Sequence, residues 1–181
     1  MGAHADVYMI DAGWTAHRAP ASTALIADHF PNRHMFDYVM LGALKAIDSG
    51  MDNPKRPFVS MIGGSKVSSK ITIIESLMEK VDSLIIGGGM TYTFMAAQGG
   101  KVGMSINEPD MYQTALDILA KAKTKGIKLV FAEDALCADD FSETANTRVC
   151  PSNDIPDGWE GLDIGEKAKK SFREHILSCK T

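Results

Sequence analysis

Three short apolar runs, each closing on a glycine cluster or an acidic pair, constrain this chain more than any other feature. Residues 58–62 (FVSMI) end in Gly63-Gly64, residues 84–86 (LII) in Gly87-Gly88-Gly89, and residues 127–132 (IKLVFA) in Glu133-Asp134. Helical periodicity fills the intervals. Ile71, Ile74, Leu77, Met78 and Val81 form one stripe, a second helix is expected from Met90, and Met111, Ala115, Ile118, Leu119 and Ala122 form a third. Short apolar runs alternating with amphipathic helices imply βαβ units, hence an α/β fold with a parallel, Rossmann-like sheet and flanking helices. Runs without polar alternation suit strands covered on both faces. Ligands of such sheets sit outside the carboxyl ends of the strands, which here are the glycine clusters and the acidic pair.

The remaining sequence divides by its punctuation. Residues 6–33 are mixed, with Pro20 and Pro31 limiting regular structure. The spacing of Phe36, Val39, Met40, Leu44 and Ile47 predicts a helix over 34–48, with Gly50 as its stop. DNPKRP (52–57) reads as a hinge. Ser68 or Ser69 is expected to cap the helix that follows the first run. Pro109 suits the first turn of the third helix and Gly126 its end. Residues 133–165, rich in turn formers, read as loop, and residues 166–177 as a closing helix.

Composition narrows the function classes. At 181 residues, the chain holds one ordinary domain, or one plus part of another. Nineteen Lys and Arg against 23 Asp and Glu leave a net charge of −4, without a dense basic run, which argues against a general nucleic-acid binder. No apolar stretch reaches the roughly 18–20 residues of a membrane span, and MGAHADVY is no secretory signal. Cys137, Cys150 and Cys179 lack metal-site spacing and read as reduced structural thiols, consistent with a cytoplasmic protein.

Chemistry concentrates in IGGSKVSSKI (62–71). Paired glycines let backbone approach a bulky ligand, and a helix start presents free N–H groups. Lys66 and Lys70 crowd that start, where acids are the usual preference, and an anion between them offsets the repulsion. The segment reads either as a phosphate site or as a tight turn with two solvated lysines. It is not a Walker A loop, and no G-x-G-x-x-G dinucleotide fingerprint is present. IIGGGMTYTF (85–94) offers either a flat surface for a ring such as adenine or room for close helix–strand packing. Arg18, beside His17 in a proline-flanked loop, is either an anion grip or a surface arginine. Glu133 and Asp134 are a weak candidate for a cation or polar ligand.

Together, NPKRPFVSMIGGSKVSSKI, KVDSLIIGGGMTYTF and IPDGWEGLDIG, in this order and spacing, resemble phosphoglycerate kinases, and DVYMIDAGWTAHRAPAS resembles the end of that family's N-terminal domain. The resemblance runs from about Asp6 onward. It implies a two-domain enzyme moving a phosphoryl group between 1,3-bisphosphoglycerate and ADP, giving 3-phosphoglycerate and MgATP. On it, residues 1–33 are the tail of the substrate domain, 34–55 the interdomain helix and hinge, and 56–181 part of the nucleotide-binding domain. Lys66 would stabilise the transferring phosphoryl group, Lys70 would hold nucleotide phosphates, and Arg18 would bind phosphoglycerate. Gly64, Ser65, Gly88, Gly89, Gly161 and Leu162 would form the adenine-side turns. Departures are Ser65 where the family has Ala, IDAGW (10–14) where it has NDAFG, Pro20 where it has His, and FAEDAL (131–136) at the third strand end.

The motifs stop short of the family's WNGP strand and of the GGGD turn whose aspartate holds the nucleotide's magnesium. The 181 residues alone are therefore expected to lack kinase turnover and to self-associate through an exposed sheet edge. The competing readings are a truncated, non-catalytic relative that binds nucleotide or protein, and half of a nicotinamide dehydrogenase, which the missing fingerprint disfavours.

Overall fold

The computed structural model describes residues 2–13 and 19–181, in two compact units, 1–54 and 55–181. In the first unit, β1 (Tyr8–Ile10) pairs in parallel with β2 (His34–Phe36), Tyr8 opposite His34. The Tyr8 ring stacks on buried Phe30, with centroids 5.9 Å apart.

Helix α1 spans Tyr38–Asp52. The helix predicted from residue 34 thus starts four residues later, because 34–36 are drawn into β2. Asp37 then caps the helix, its two carboxylate oxygens each accepting at 2.9 Å from the N–H groups of Val39 and Met40. Gly50 does not stop the helix, which runs on to Asp52. Among the described residues the predicted apolar stripe is not covered: α1 buries none of its residues, and Val39 and Ile47 are well exposed.

The second unit is built on a parallel sheet of order β3-β4-β6. Its strands are β3 (Val59–Gly63), β4 (Ser83–Gly87) and β6 (Lys128–Phe131). Ile62 lies opposite Ile86, and Ile86 opposite Phe131. Leu84, Ile85 and Ile86 are fully buried, as a central strand sandwiched between helices requires. The flanking helices are α2 (Ile71–Met78), α3 (Met90–Ala97), α4 (Tyr112–Lys125) and α5 (Glu166–Ser178). Ala168 and Phe172 of α5 pack on Ile85, Val130 and Ala132. Gly126, at φ +69°, ends α4 as expected.

β3 pairs only with β4 among the described strands, and Met61 on it stays about half exposed. At its start the Val59 N–H donates to the Thr181 carbonyl at 3.0 Å.

Residues 133–165 are not the loop the sequence predicted. Their turn formers separate short strands: β7 (Asp134–Ala138), β8 (Thr147–Pro151), β9 (Asp154–Ile155) and β10 (Glu160–Ile164). β10, β7 and β8 form an antiparallel sheet, and β9 pairs with β5 (Lys101–Val102). Ala135, Cys137, Cys150 and Ile155 turn inward onto Tyr92 and Val102, and that burial organises the segment.

Candidate nucleotide site

The carboxyl ends of β3 and β4 leave the sheet at the same height, since Gly63 lies opposite Gly87. The two turns interlock. The Gly64 carbonyl accepts from the Met90 N–H at 2.9 Å. Gly88 has φ +71°, and a Cβ there would lie 2.9 Å from the Gly64 oxygen. Both the left-handed backbone and the close approach demand glycine. At Gly89, a side chain would strike the Ile106 methyl.

β10 closes the arrangement from the other side. Its register shifts between Gly161 and Asp163, which leaves Leu162 as an extra, partly exposed residue. The Gly161 N–H donates to the buried Ser105 hydroxyl at 2.9 Å, and a Cβ on Gly161 would collide with the Tyr92 hydroxyl. Gly88, Gly89, Tyr92, Ala132, Gly161 and Leu162 thereby line one narrow cleft. Gly88, Gly89 and Gly161 present bare backbone to it, while Thr91, Leu162, Asp163 and Ile164 add side chains, and the glycine faces leave room for a flat ring.

Lys66 and Lys70 lie on the loop joining β3 to α2. Fully buried Val67 anchors this loop, Lys66 is exposed, and Lys70 is half-buried. The Lys70 chain folds back over Gly64, its Cε 3.5 Å from where a Cβ on that glycine would stand. Gly64, Ser65, Gly88, Gly89, Gly161 and Leu162 therefore converge. Lys70 borders the group, and Lys66 stands apart on the exposed loop. Arg18 and His17 fall outside the described residues.

The predicted serine cap is a correction. Neither Ser68 nor Ser69 caps α2: Lys70 occupies that position without a side-chain hydrogen bond. Glu108 has captured Ser68 instead, accepting from its hydroxyl at 2.5 Å and its N–H at 3.1 Å. Burial opposes ionisation of Glu108. The Ser68 hydroxyl and the Ser68 and Val67 N–H groups outweigh that, and Lys66 adds to them, so the carboxyl titrates below its ordinary range. The Ser69 hydroxyl turns to the Lys66 carbonyl at 3.0 Å.

The acidic pair also changes role. The buried Asp134 carboxylate accepts from the N–H groups of Lys167 and Ala168, at 3.1 and 2.8 Å, at the start of α5. It caps a helix more than thirty residues away. Tyr92, Ser105, Ile106 and Glu108 enter the site without a sequence signal, because each acts through a contact distant along the chain.

Comparisons with known proteins agree with this architecture. The family described as phosphoglycerate kinase matches residues 1–181. A Porphyromonas gingivalis protein named phosphoglycerate kinase is 52% identical over 178 residues, 98% of this chain and 43% of that protein. A Chlamydomonas reinhardtii protein named chloroplastic phosphoglycerate kinase is 46% identical over 181 residues, 39% of its own length. The solved phosphoglycerate kinase of Coxiella burnetii superposes with a TM-score of 0.83 at 33% identity, covering all of this chain and 46% of the other. The chain thus spans about two-fifths of the length of the curated relatives it matches. Sequence and fold together place this chain in the phosphoglycerate kinase family.

Proposed function

We propose that the chain is the interdomain helix and nucleotide-handling portion of a phosphoglycerate kinase. In its complete form, that enzyme passes a phosphoryl group between 1,3-bisphosphoglycerate and MgADP, yielding 3-phosphoglycerate and MgATP. One observation carries this reading: the Gly64, Gly88 and Gly161 backbones converge into a flat cleft beside the lysine-bearing loop. In this reading Gly64, Ser65, Gly88, Gly89, Gly161 and Leu162 hold the adenine side and Lys70 the phosphates. Lys66 neutralises charge on the group in flight, and Arg18 grips phosphoglycerate. Phosphoryl transfer asks mainly for positioning and charge neutralisation, and placed cations supply both. Magnesium arrives with the nucleotide as part of the substrate and screens its phosphate charge.

The same reading makes residues 1–33 the tail of the substrate domain, 34–55 the linking helix and hinge, and 56–181 the nucleotide-binding part, in a cytoplasmic enzyme. The isolated 181 residues are proposed to bind nucleotide without turning over. The edge of β3 beyond Val59, which no described strand covers, and exposed Met61 favour self-association.

Calorimetry with ADP and a coupled kinase assay on the purified chain test this. Weak ADP binding without turnover is expected. No ADP binding refutes the nucleotide reading, and substantial turnover refutes the division of labour.

A further inference from the structure

Ser68 is the midpoint between Lys66 and Lys70, and Glu108 holds it from forty residues away. The Glu108 carboxylate accepts from the Ser68 hydroxyl at 2.5 Å and from the Ser68 N–H at 3.1 Å, and the Val67 N–H donates to it as well. Its own backbone is fixed from behind. The Glu108 N–H donates to the hydroxyl of Thr93 at 3.1 Å, and Thr93 is fully buried in α3. The preceding residue is pinned too, since the Tyr112 hydroxyl donates to the Asn107 side chain at 2.7 Å. Glu108 thus ties the lysine loop to the helix that follows the second glycine turn.

Buried Val67 anchors the loop at one point, which sets its depth and leaves its direction open. Charge-assisted bonds on the next residue supply that direction. The charge itself works the other way. Lys66 lies near enough to help keep Glu108 ionised, so a negative group stands beside a lysine proposed to meet phosphate. An acid there opposes an incoming anion unless the order it imposes is worth more than the repulsion. We propose that Glu108 is a positioning residue of the phosphate site, holding the loop so that Lys66 and Lys70 meet one polyphosphate together. The proposal rests on the nucleotide reading above and adds to it a residue that touches no ligand.

The test is titration of the 181-residue chain with ADP, inorganic tripolyphosphate and adenosine, followed by NMR amide shifts. Glu108→Ala is expected to bind ADP and tripolyphosphate about tenfold more weakly and adenosine unchanged, although a negative charge has been removed. Glu108→Gln, whose side-chain carbonyl still accepts from Ser68, is expected to recover part of the loss. Ser68→Ala approaches the same contact from the other side and serves where Glu108→Ala does not fold. It is expected to lose part of the tenfold factor, and to lose nothing further when combined with Glu108→Ala. Unchanged or tighter tripolyphosphate binding by Glu108→Ala overturns the proposal, as do a glutamine variant no better than the alanine one and losses that multiply in the double variant. Each of these leaves the nucleotide reading standing. A parent chain that binds neither ADP nor tripolyphosphate overturns both.

Discussion

The Asp134 carboxylate lies 2.8 Å from the Ala168 N–H and ties the first residue of β7 to the first turn of α5. The second oxygen takes the Lys167 N–H, and any side chain on Gly165 would collide with the carboxylate. A remote acid therefore does the work of a local helix cap. Asp134→Ala is expected to destabilise the second unit by about 1–2 kcal/mol, the range for lost caps, with Asp134→Asn costing less. Denaturant midpoints check this; an unchanged Asp134→Ala midpoint contradicts it.

Glycine substitutions separate strain from occlusion. Gly88→Ala meets both the positive φ and the Gly64 backbone, and is expected to lower stability by roughly 1–3 kcal/mol. Gly161→Ala, which meets the Tyr92 hydroxyl, is expected to reduce ADP affinity beyond what its change in stability explains. Melting curves read beside calorimetry distinguish the two.

Glu108 predicts a pH signature. Its carboxyl is depressed below 4.5 in the folded chain, so its stabilisation is complete above pH 4.5 and fades as pH falls through the lower folded value. Glu108→Gln should weaken the chain at pH 7, and the gap from the parent should narrow below pH 4.5. Paired denaturation curves at pH 7 and pH 3.5 measure it, and a gap independent of pH contradicts it.

The two lysines should differ in what they cost. Lys70→Ala, beside Gly64, is expected to abolish ADP binding by the isolated chain. Lys66→Ala, on the exposed loop, should leave most of that binding in place. In the complete enzyme, Lys66→Ala should lower kcat far more than it raises KM. Equal ADP affinity of Lys70→Ala and parent contradicts the assignment.

Much of this was legible in the sequence, for reasons particular residues make plain. The central strand announces itself because Leu84, Ile85 and Ile86 are buried on both faces, and apolar continuity is then obligatory. Gly88, Gly89 and Gly126 mark turns because their backbones or neighbours exclude side chains. What hid were long-range relations. Phe36 has the spacing of a helix stripe, yet pairs with Ile10 in a strand. Ser68 looks like a cap until Glu108, forty residues away, claims it. Strands of two to five residues in 134–164 are too short for a periodic signal to rise above their glycines and prolines.

The alignment of Gly63 with Gly87 has a consequence for tolerated length changes. One residue inserted within β3 would shift Gly64 by about 3.3 Å against Gly88 and reverse which side chains face the helices. The same insertion at residues 139–146, between β7 and β8, would leave both turns where they are. The cleft is thus gauged by the sheet like a vernier, and natural variation in length should collect on the antiparallel side and spare the parallel strands.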